Sequence, residues 1–392
     1  MARADRWGQI VPRKRNPDRV VHYRLPTEVV FGAGTVAQLG SRLVEMGLSR
    51  PLVVTDRGVR DAGIVEKVLA SLEGSGMRAA VFDGVESDPT TRVVEGIRDR
   101  LREEGCDSVV GVGGGSPMDA AKAAAALATN PGSPLEYVGR DKVRSDPLPT
   151  VAVPTTAGTG SEVTMFSVLI DSDSGSKVSI GDTRIMPRLA LLDPELTLGL
   201  PEHLTAVTGI DALSHAVESY GSVWSHPIAE GLALRAIELV GECLRPAVAA
   251  GSNRAARRGM LMASLVSELA ANSTRLGIAH ALAIPVGARH HVPHGMAVAL
   301  LLPHVVAFNE AADPDRYARI ARALGAAEGE GAGRAMERLN YDIGIKDRLS
   351  GWGVGEDDLP GLAELAMKSD NVQANPRVAG EEELVAVLKA AL

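Results

Sequence analysis

The chain has 392 residues, 45% hydrophobic and 23% charged, which leaves room for two domains with ordinary cores and excludes a low-complexity or disordered chain. A formal net charge of −8 argues against a nucleic-acid partner. The two cysteines, Cys106 and Cys243, exclude a disulfide framework and are expected as buried small hydrophobes in a reducing cytoplasm.

The first 24 residues carry Arg3, Arg6, Arg13, Lys14, Arg15, Arg19 and Arg24 against only Asp5 and Asp18, without the apolar stretch of a secretion signal. This basic arm reads as a solvated, partly disordered tail, with contact to a partner subunit or an anion as the alternative. No apolar run is expected to approach the roughly 18 residues of a membrane helix, so no membrane partner is expected.

Short apolar runs at 27–31, 52–55, 79–82, 108–112 and 151–153 then alternate with helical patterns, among them 36–46 and 117–126. The runs do not alternate polar with apolar, as expected for strands covered on both faces. Strands separated by helices predict right-handed βαβ units and a mainly parallel sheet. The stretch DPELTLGLP at 193–201 punctuates the pattern. From residue 203 strand signals nearly vanish, and Ala/Leu/Glu/Arg-rich segments such as 228–249 and 255–271 take over. The expected organisation is an α/β dinucleotide-binding domain over 1–200, with 1–22 as its basic arm, and an all-helical domain over 201–392.

VVGVGGGS at 109–116 runs from a strand through three glycines into a helix opened by Pro117. Glycines admit close backbone approach, and a helix N-terminus offers amides and a positive dipole end to an anion. Gly113, Gly114, Gly115 and Ser116 are therefore pyrophosphate candidates. A second loop, Gly32-Ala33-Gly34-Thr35-Val36-Ala37, also fits a dinucleotide fingerprint. Asp56, at the end of the 52–55 strand, serves either loop as a ribose acceptor that disfavours a 2′-phosphate, hence NAD over NADP; its alternative is a helix N-cap. PTTAGTGSEV at 154–163 adds Thr155, Thr156 and Thr159 as nucleotide contacts or as plain loop residues.

GIDALSHAVESY at 209–220 puts Asp211 and His215 four residues apart, on one face of a helix. GIAHALAIPVGARHHVPH at 277–294 holds His280, His290, His291 and His294, with Pro285, Gly287 and Pro293 expected to break the helix between them. One carboxylate and three imidazoles suit a borderline divalent ion such as Fe(II) or Zn(II), provided the two segments meet.

At these residues the chain resembles the iron-containing (group III) alcohol dehydrogenases. The resemblance runs from about Tyr23 onward through PTEVVFGAG, VTD, GGGSPMDAAK, PTTAGTGSEVT, DPELTLGLP, GIDALSHAVESY and GIAHALAIPVGARHHVPHG. It implies a dehydroquinate synthase-like fold, an α/β NAD domain followed by a helical metal domain with the active site in the cleft between them. It implies Asp211, His215, His280 and His294 as ligands of iron(II) or zinc, and GGGS rather than GAG as the phosphate loop. It further implies Asp119 beside the phosphates and nicotinamide, as a catalytic and cofactor-binding residue, Asp56 near the adenosine ribose, and Thr155, Thr156 and Thr159 as nucleotide contacts. A dimer or higher homo-oligomer is also implied, with the segment around Val20 to Tyr23 as a possible pairing edge. One position departs: members often carry a further histidine four residues after the third ligand, and Ile284 stands there. His291, or a ribose hydroxyl with water, is then expected to move the proton. The activity so implied is hydride transfer between NAD and a small alcohol or aldehyde. The rivals are a same-fold zinc glycerol dehydrogenase or maleylacetate reductase-like enzyme, and a non-catalytic nucleotide-binding protein.

Overall fold

The structure is a computed structural model that describes residues 4–392; Arg3 of the basic arm lies outside the described residues. The chain divides into two compact units, Arg24–Leu200 on one hand and the arm up to Tyr23 with Pro201–Leu392 on the other.

The first unit is built on six strands: β1 (Glu28–Phe31), β2 (Pro51–Val54), β3 (Ala80–Phe82), β4 (Ser108–Gly113), β5 (Thr150–Pro154) and β6 (Leu189–Leu192). All their pairings are parallel, in the order β1-β6-β5-β4-β2-β3. Every residue of the four inner strands is buried. Alternate residues serve opposite faces. Leu52, Val54 and Val109 pack with Val94, Ile97 and Leu101 of α3 (Thr91–Glu103) and Ala120, Ala124 and Leu127 of α4 (Gly115–Thr129). Val53, Val110, Val112 and Val151 pack with Leu39 and Leu43 of α1 (Leu39–Glu45) and Val68 and Leu72 of α2 (Ile64–Gly74). Burial on both sides is why these strands read as unbroken apolar runs.

Three features differ from the sequence expectation. The 36–46 helix is a 3-10 turn, Thr35–Gln38, followed by α1. Strand β6 is additional: its Leu-Ala-Leu-Leu composition carries no strand propensity, and pairing with β1 and β5 in the sheet decides its state. A further small sheet joins Gly139–Arg140, Lys177–Gly181 and Phe166–Ile170.

The second unit is helical: α5 (Glu202–Gly221), α6 (Pro227–Ala249), α7 (Arg254–Thr274), α8 (Ile278–His290) and α9 (His294–Asn309), followed by shorter helices. Helix α5 packs against α6, α7 and α9 and is buried at every position from Gly209 to Gly221. Its polar side chains there must find partners or a ligand. The expected break at Pro285 does not occur. Pro285 lies inside α8, where surrounding packing outweighs the one missing N–H, and the chain turns only at His291 to Pro293.

Three further expectations are corrected. The arm is not a loose tail of the α/β part. A bridge joins Pro12 to Arg377, and Asp5 forms a two-pronged pair with the fully buried Arg377 guanidinium at 2.7 and 2.9 Å. Arg15 donates to the carbonyls of Gly221 and Ser222 at the end of α5 and pairs with Asp313 at 2.7 Å. A guanidinium bonded to the last carbonyls of a helix complements its dipole, which is what the sequence disguised as simple positive charge. Secondly, among the described residues one segment, His294–Ala312, is long and apolar enough to meet the membrane-helix criterion; most of it is buried, as in a core helix. Thirdly, Cys106 and Cys243 are free and half-buried rather than fully buried, and burial raises both thiol pKa values.

Candidate metal centre and nucleotide turn

Helix periodicity places Asp211 and His215 on one face of α5. His280 sits in the first turn of α8, and His294 is the first residue of α9. The four converge. Oδ1 of Asp211 stands 3.8 Å from His215 Nε2, 3.8 Å from His280 Nε2 and 3.7 Å from His294 Nε2. Donor atoms of Asp211, His215 and His280 lie within 4.8 Å of one another. Ligands bonded to one ion at about 2.0–2.2 Å stand roughly 3–4 Å apart, so the spacing is that of a coordination shell.

The polar bookkeeping points the same way. Asp211 Oδ1 and His280 Nε2, which face each other, are both buried without a hydrogen-bond partner. Leaving two such atoms unpaired in one spot is costly unless a ligand satisfies them. Burial pushes the Asp211 carboxyl up, but the His215, His294 and His280 imidazoles outweigh it and hold the group well below the usual carboxylate range. Burial lowers His280, yet the Glu218 and Asp211 carboxylates raise it to about 10. A buried, ionised carboxylate facing three imidazole nitrogens is an electronegative hole suited to a cation.

Two acids that the sequence reading passed over stand behind the imidazoles. Nδ1–H of His280 donates to Glu218 Oε2 at 2.6 Å, and Glu268 Oε2 is 3.3 Å from His215 Nδ1. The signal was present for Glu218: it follows Asp211 by seven residues and His215 by three, on the same helical face.

In the α/β unit the glycine turn closes β4. Gly113 has φ +146°, and a Cβ on it would lie 2.7 Å from Pro117 Cγ and 3.3 Å from Asp56 Oδ2. Cβ atoms on Gly114 and Gly115 would reach Thr156 at 3.4 Å and Thr159 at 3.0 Å, and Thr155 N–H donates to Gly113 O at 2.9 Å. Asp56, the three glycines and the three threonines are thus one surface. Their position follows from topology. The chain leaves β2 towards the β3 edge and leaves β4 towards β5, so the strand order reverses between adjacent β2 and β4. Asp56 and Gly113 sit at the carboxyl ends of those two strands, the crevice where doubly wound sheets bind ligands. The N-cap Gly114 contributes no side-chain cap to α4. Ser116 Oγ accepts from Asp88 N–H at 3.3 Å, and Asp88 holds Lys177 at 3.0 Å, a cation near the turn that the sequence did not single out.

Other expected residues fall differently. The Gly32-Ala33-Gly34 loop follows edge strand β1, away from the reversal. Asp56 is the N-cap of Arg57–Asp61, accepting from Val59 N–H at 2.9 Å, which uses Oδ1 and leaves Oδ2 towards Gly113. The N-cap alternative is thus observed, and the second carboxylate oxygen remains beside the glycine turn. Asp119 does not present a free carboxylate: Oδ1 meets Ser161 Oγ at 2.5 Å and Lys122 Nζ at 2.9 Å, and Oδ2 accepts from Val168 N–H at 2.9 Å. It braces α4 against the loop and small sheet. His291 is exposed, at the left-handed C-cap of α8 with φ 56°. Ile284, one turn beyond His280, is 40% exposed.

Comparison with known proteins agrees with this arrangement. Residues 26–194 match the profile described as iron-containing alcohol dehydrogenase, and residues 205–392 match the C-terminal profile of the same family. A 1,3-propanediol dehydrogenase of Klebsiella pneumoniae is 41% identical over 384 residues, covering 95% of this chain and 99% of that protein. An NAD-dependent methanol dehydrogenase of Bacillus methanolicus is 37% identical, covering 95% and 100%. Among solved structures, a 1,3-propanediol oxidoreductase superposes with a TM-score of 0.93 at 40% identity, covering 95% of this chain and 100% of that one. A sulfoacetaldehyde reductase of Bifidobacterium kashiwanohense in complex with NAD+ gives 0.89 at 31% identity, covering 95% and 99%. The chain therefore belongs to the iron-containing alcohol dehydrogenase family and is an oxidoreductase of that type.

Proposed function

We propose that this enzyme passes hydride between NAD and a small alcohol or aldehyde, using a divalent ion held by Asp211, His215, His280 and His294. The observation that carries this is the convergence of three imidazole Nε2 atoms within 3.8 Å of one buried carboxylate oxygen. A bound divalent ion supplies Lewis acidity that lowers the pKa of the alcohol, and NAD supplies the hydride acceptor. Asp211 contributes the negative charge of the set. Fe(II) is the ion the family implies, with Zn(II) as the chemical alternative for the same donors.

On the nucleotide side, Gly113, Gly114, Gly115 and Ser116 take the pyrophosphate at the start of α4. Asp56 takes the adenosine ribose and disfavours NADP, and Thr155, Thr156 and Thr159 flank them. Asp119 and His291 are left out of the catalytic set. The first is committed to Ser161, Lys122 and Val168, and the second is an exposed helix cap. Proton exchange then falls to a ribose hydroxyl with water, since the Ile284 side chain has no exchangeable proton.

The enzyme is proposed to work in the cytoplasm as a homodimer or larger homo-oligomer. Val20 (78% exposed) and Val21 (36%) offer an apolar edge for pairing. The test is an NADH-oxidation screen over short aldehydes, diol-derived aldehydes, glycerol-type substrates and oxo acids, each with Fe(II) or Zn(II). Turnover dependent on metal and NADH supports the reading. Nucleotide binding with no turnover across the panel contradicts it.

A further inference from the structure

Glu218 belongs neither to the four donors nor to the surface: it is buried in α5, and both its oxygens are committed. Oε1 accepts the backbone N–H of Ala279 at 2.7 Å, and Oε2 accepts Nδ1–H of His280 at 2.6 Å. The neighbouring residue has to be small. A Cβ on Gly277 would stand 2.8 Å from Glu218 Oε1, so the glycine that opens GIAH makes room for this carboxylate. Behind it lies a cavity of water size, lined by Glu218, Gly277, Tyr317, Asn309 and Asn375. On the cavity wall, Asn309 and Asn375 exchange amide hydrogen bonds at 2.9 and 2.8 Å, and Asn375 also donates to Arg377 O at 2.7 Å. Arg377 is the buried cation clasped by Asp5 of the arm.

From this geometry we infer that Glu218 is a positioning residue for the metal centre, holding His280 in the tautomer whose Nε2 lone pair faces Asp211. A carboxylate can only accept here, so the proton of a neutral His280 ring must sit on Nδ1. Nε2 is then the lone-pair atom, and it is the ring atom 3.8 Å from Asp211 Oδ1 with no hydrogen-bond partner. The same contact fixes the ring's rotation, and the Ala279 bond fixes the carboxylate against the first turn of α8. A carboxylate behind a ligating imidazole also raises its basicity, and removing such a partner typically costs about 10–100-fold in metal affinity.

The inference rests on the four-ligand reading, and the experiment separates the two. Zn(II) affinity is measured by chelator competition for the full-length parent and for Glu218→Gln, which keeps the side chain's shape and one acceptor but loses the charge. The expected result is a parent that binds one Zn(II) and a variant weaker by about 10–100-fold. Gly277→Ala should weaken binding in the same direction. A variant affinity within about twofold of the parent overturns the role of Glu218; a parent that binds no Zn(II) overturns the metal site itself. Should Glu218→Gln fail to fold, histidine-ring 1H–15N correlations on the Zn-loaded parent decide. A proton on His280 Nδ1 supports the inference, and one on Nε2 overturns it.

Discussion

Replacing Gly113 by alanine tests the nucleotide turn at its most constrained position. The residue holds φ +146°, a region L side chains avoid, which costs of order 1–3 kcal/mol. The added Cβ would also sit 2.7 Å from Pro117 Cγ, a ring atom fixed in the first turn of α4, and relieving that overlap adds about 1 kcal/mol or more. Together the substitution should destabilise the unit by about 2–4 kcal/mol, or roughly 4–16 °C in Tm for a domain of this size. The overlap pushes on the start of α4, where the pyrophosphate is proposed to bind, so NADH affinity should fall at least about tenfold, consistent with a shift of 1.4 kcal/mol or more. Gly114→Ala is the internal control for stability. Its φ is −78°, and its Cβ would meet Thr156 at an ordinary 3.4 Å, so Tm should move little. The assay is thermal unfolding with NADH fluorescence titration on both variants. A Gly113→Ala protein with unchanged Tm and unchanged NADH affinity would refute the argument.

Three other outcomes follow from the structure. Burial pushes Glu162 up to about 7 from its ordinary 4.5, with partial relief from Lys122. The folded state therefore holds the proton more tightly, so stability falls as pH rises from about 4.5 through 7. Glu162→Gln should gain up to roughly 3 kcal/mol over the parent at pH 8 and nothing at pH 4, checked by denaturant unfolding at both. Asp5→Ala strands the buried Arg377 charge and should cost about 3–5 kcal/mol in the same assay; a loss under about 1 kcal/mol would show the arm to be dispensable. His291→Gly relaxes a left-handed helix cap and should raise stability by about 0.5–1 kcal/mol with turnover within about twofold of the parent, whereas a collapse in kcat would return His291 to the catalytic set.

Much of this was legible in the residues, for reasons that also explain the rest. Strands β2, β4 and β5 announced themselves because burial on both faces demands β-branched apolar runs. Strand β6 did not, because Leu and Ala are tolerated in a strand only when neighbours on both sides pair with it. Asp211 and His215 were legible from helical spacing, while their meeting with His280 and His294 is tertiary and needed coordinates. Glu218 shared the helical face of Asp211 and His215, but its role needed its partner, His280 Nδ1, which is a tertiary contact. The arm's arginines read as loose charge because their acceptors, the last carbonyls of α5 and Asp313, lie some 200 to 300 positions along the chain. Asp119 was legible from its motif, while its bonds to Ser161 and Val168 are tertiary and needed coordinates.

The central claim is that four side chains from two distant segments hold one ion. Protein produced with Fe(II) or Zn(II) supplied, freed of loosely bound metal and analysed by elemental mass spectrometry, should carry about one ion per chain, and the His280→Ala and Asp211→Ala variants less than about a tenth of that. A folded parent without metal, or variants as fully loaded as the parent, would contradict it.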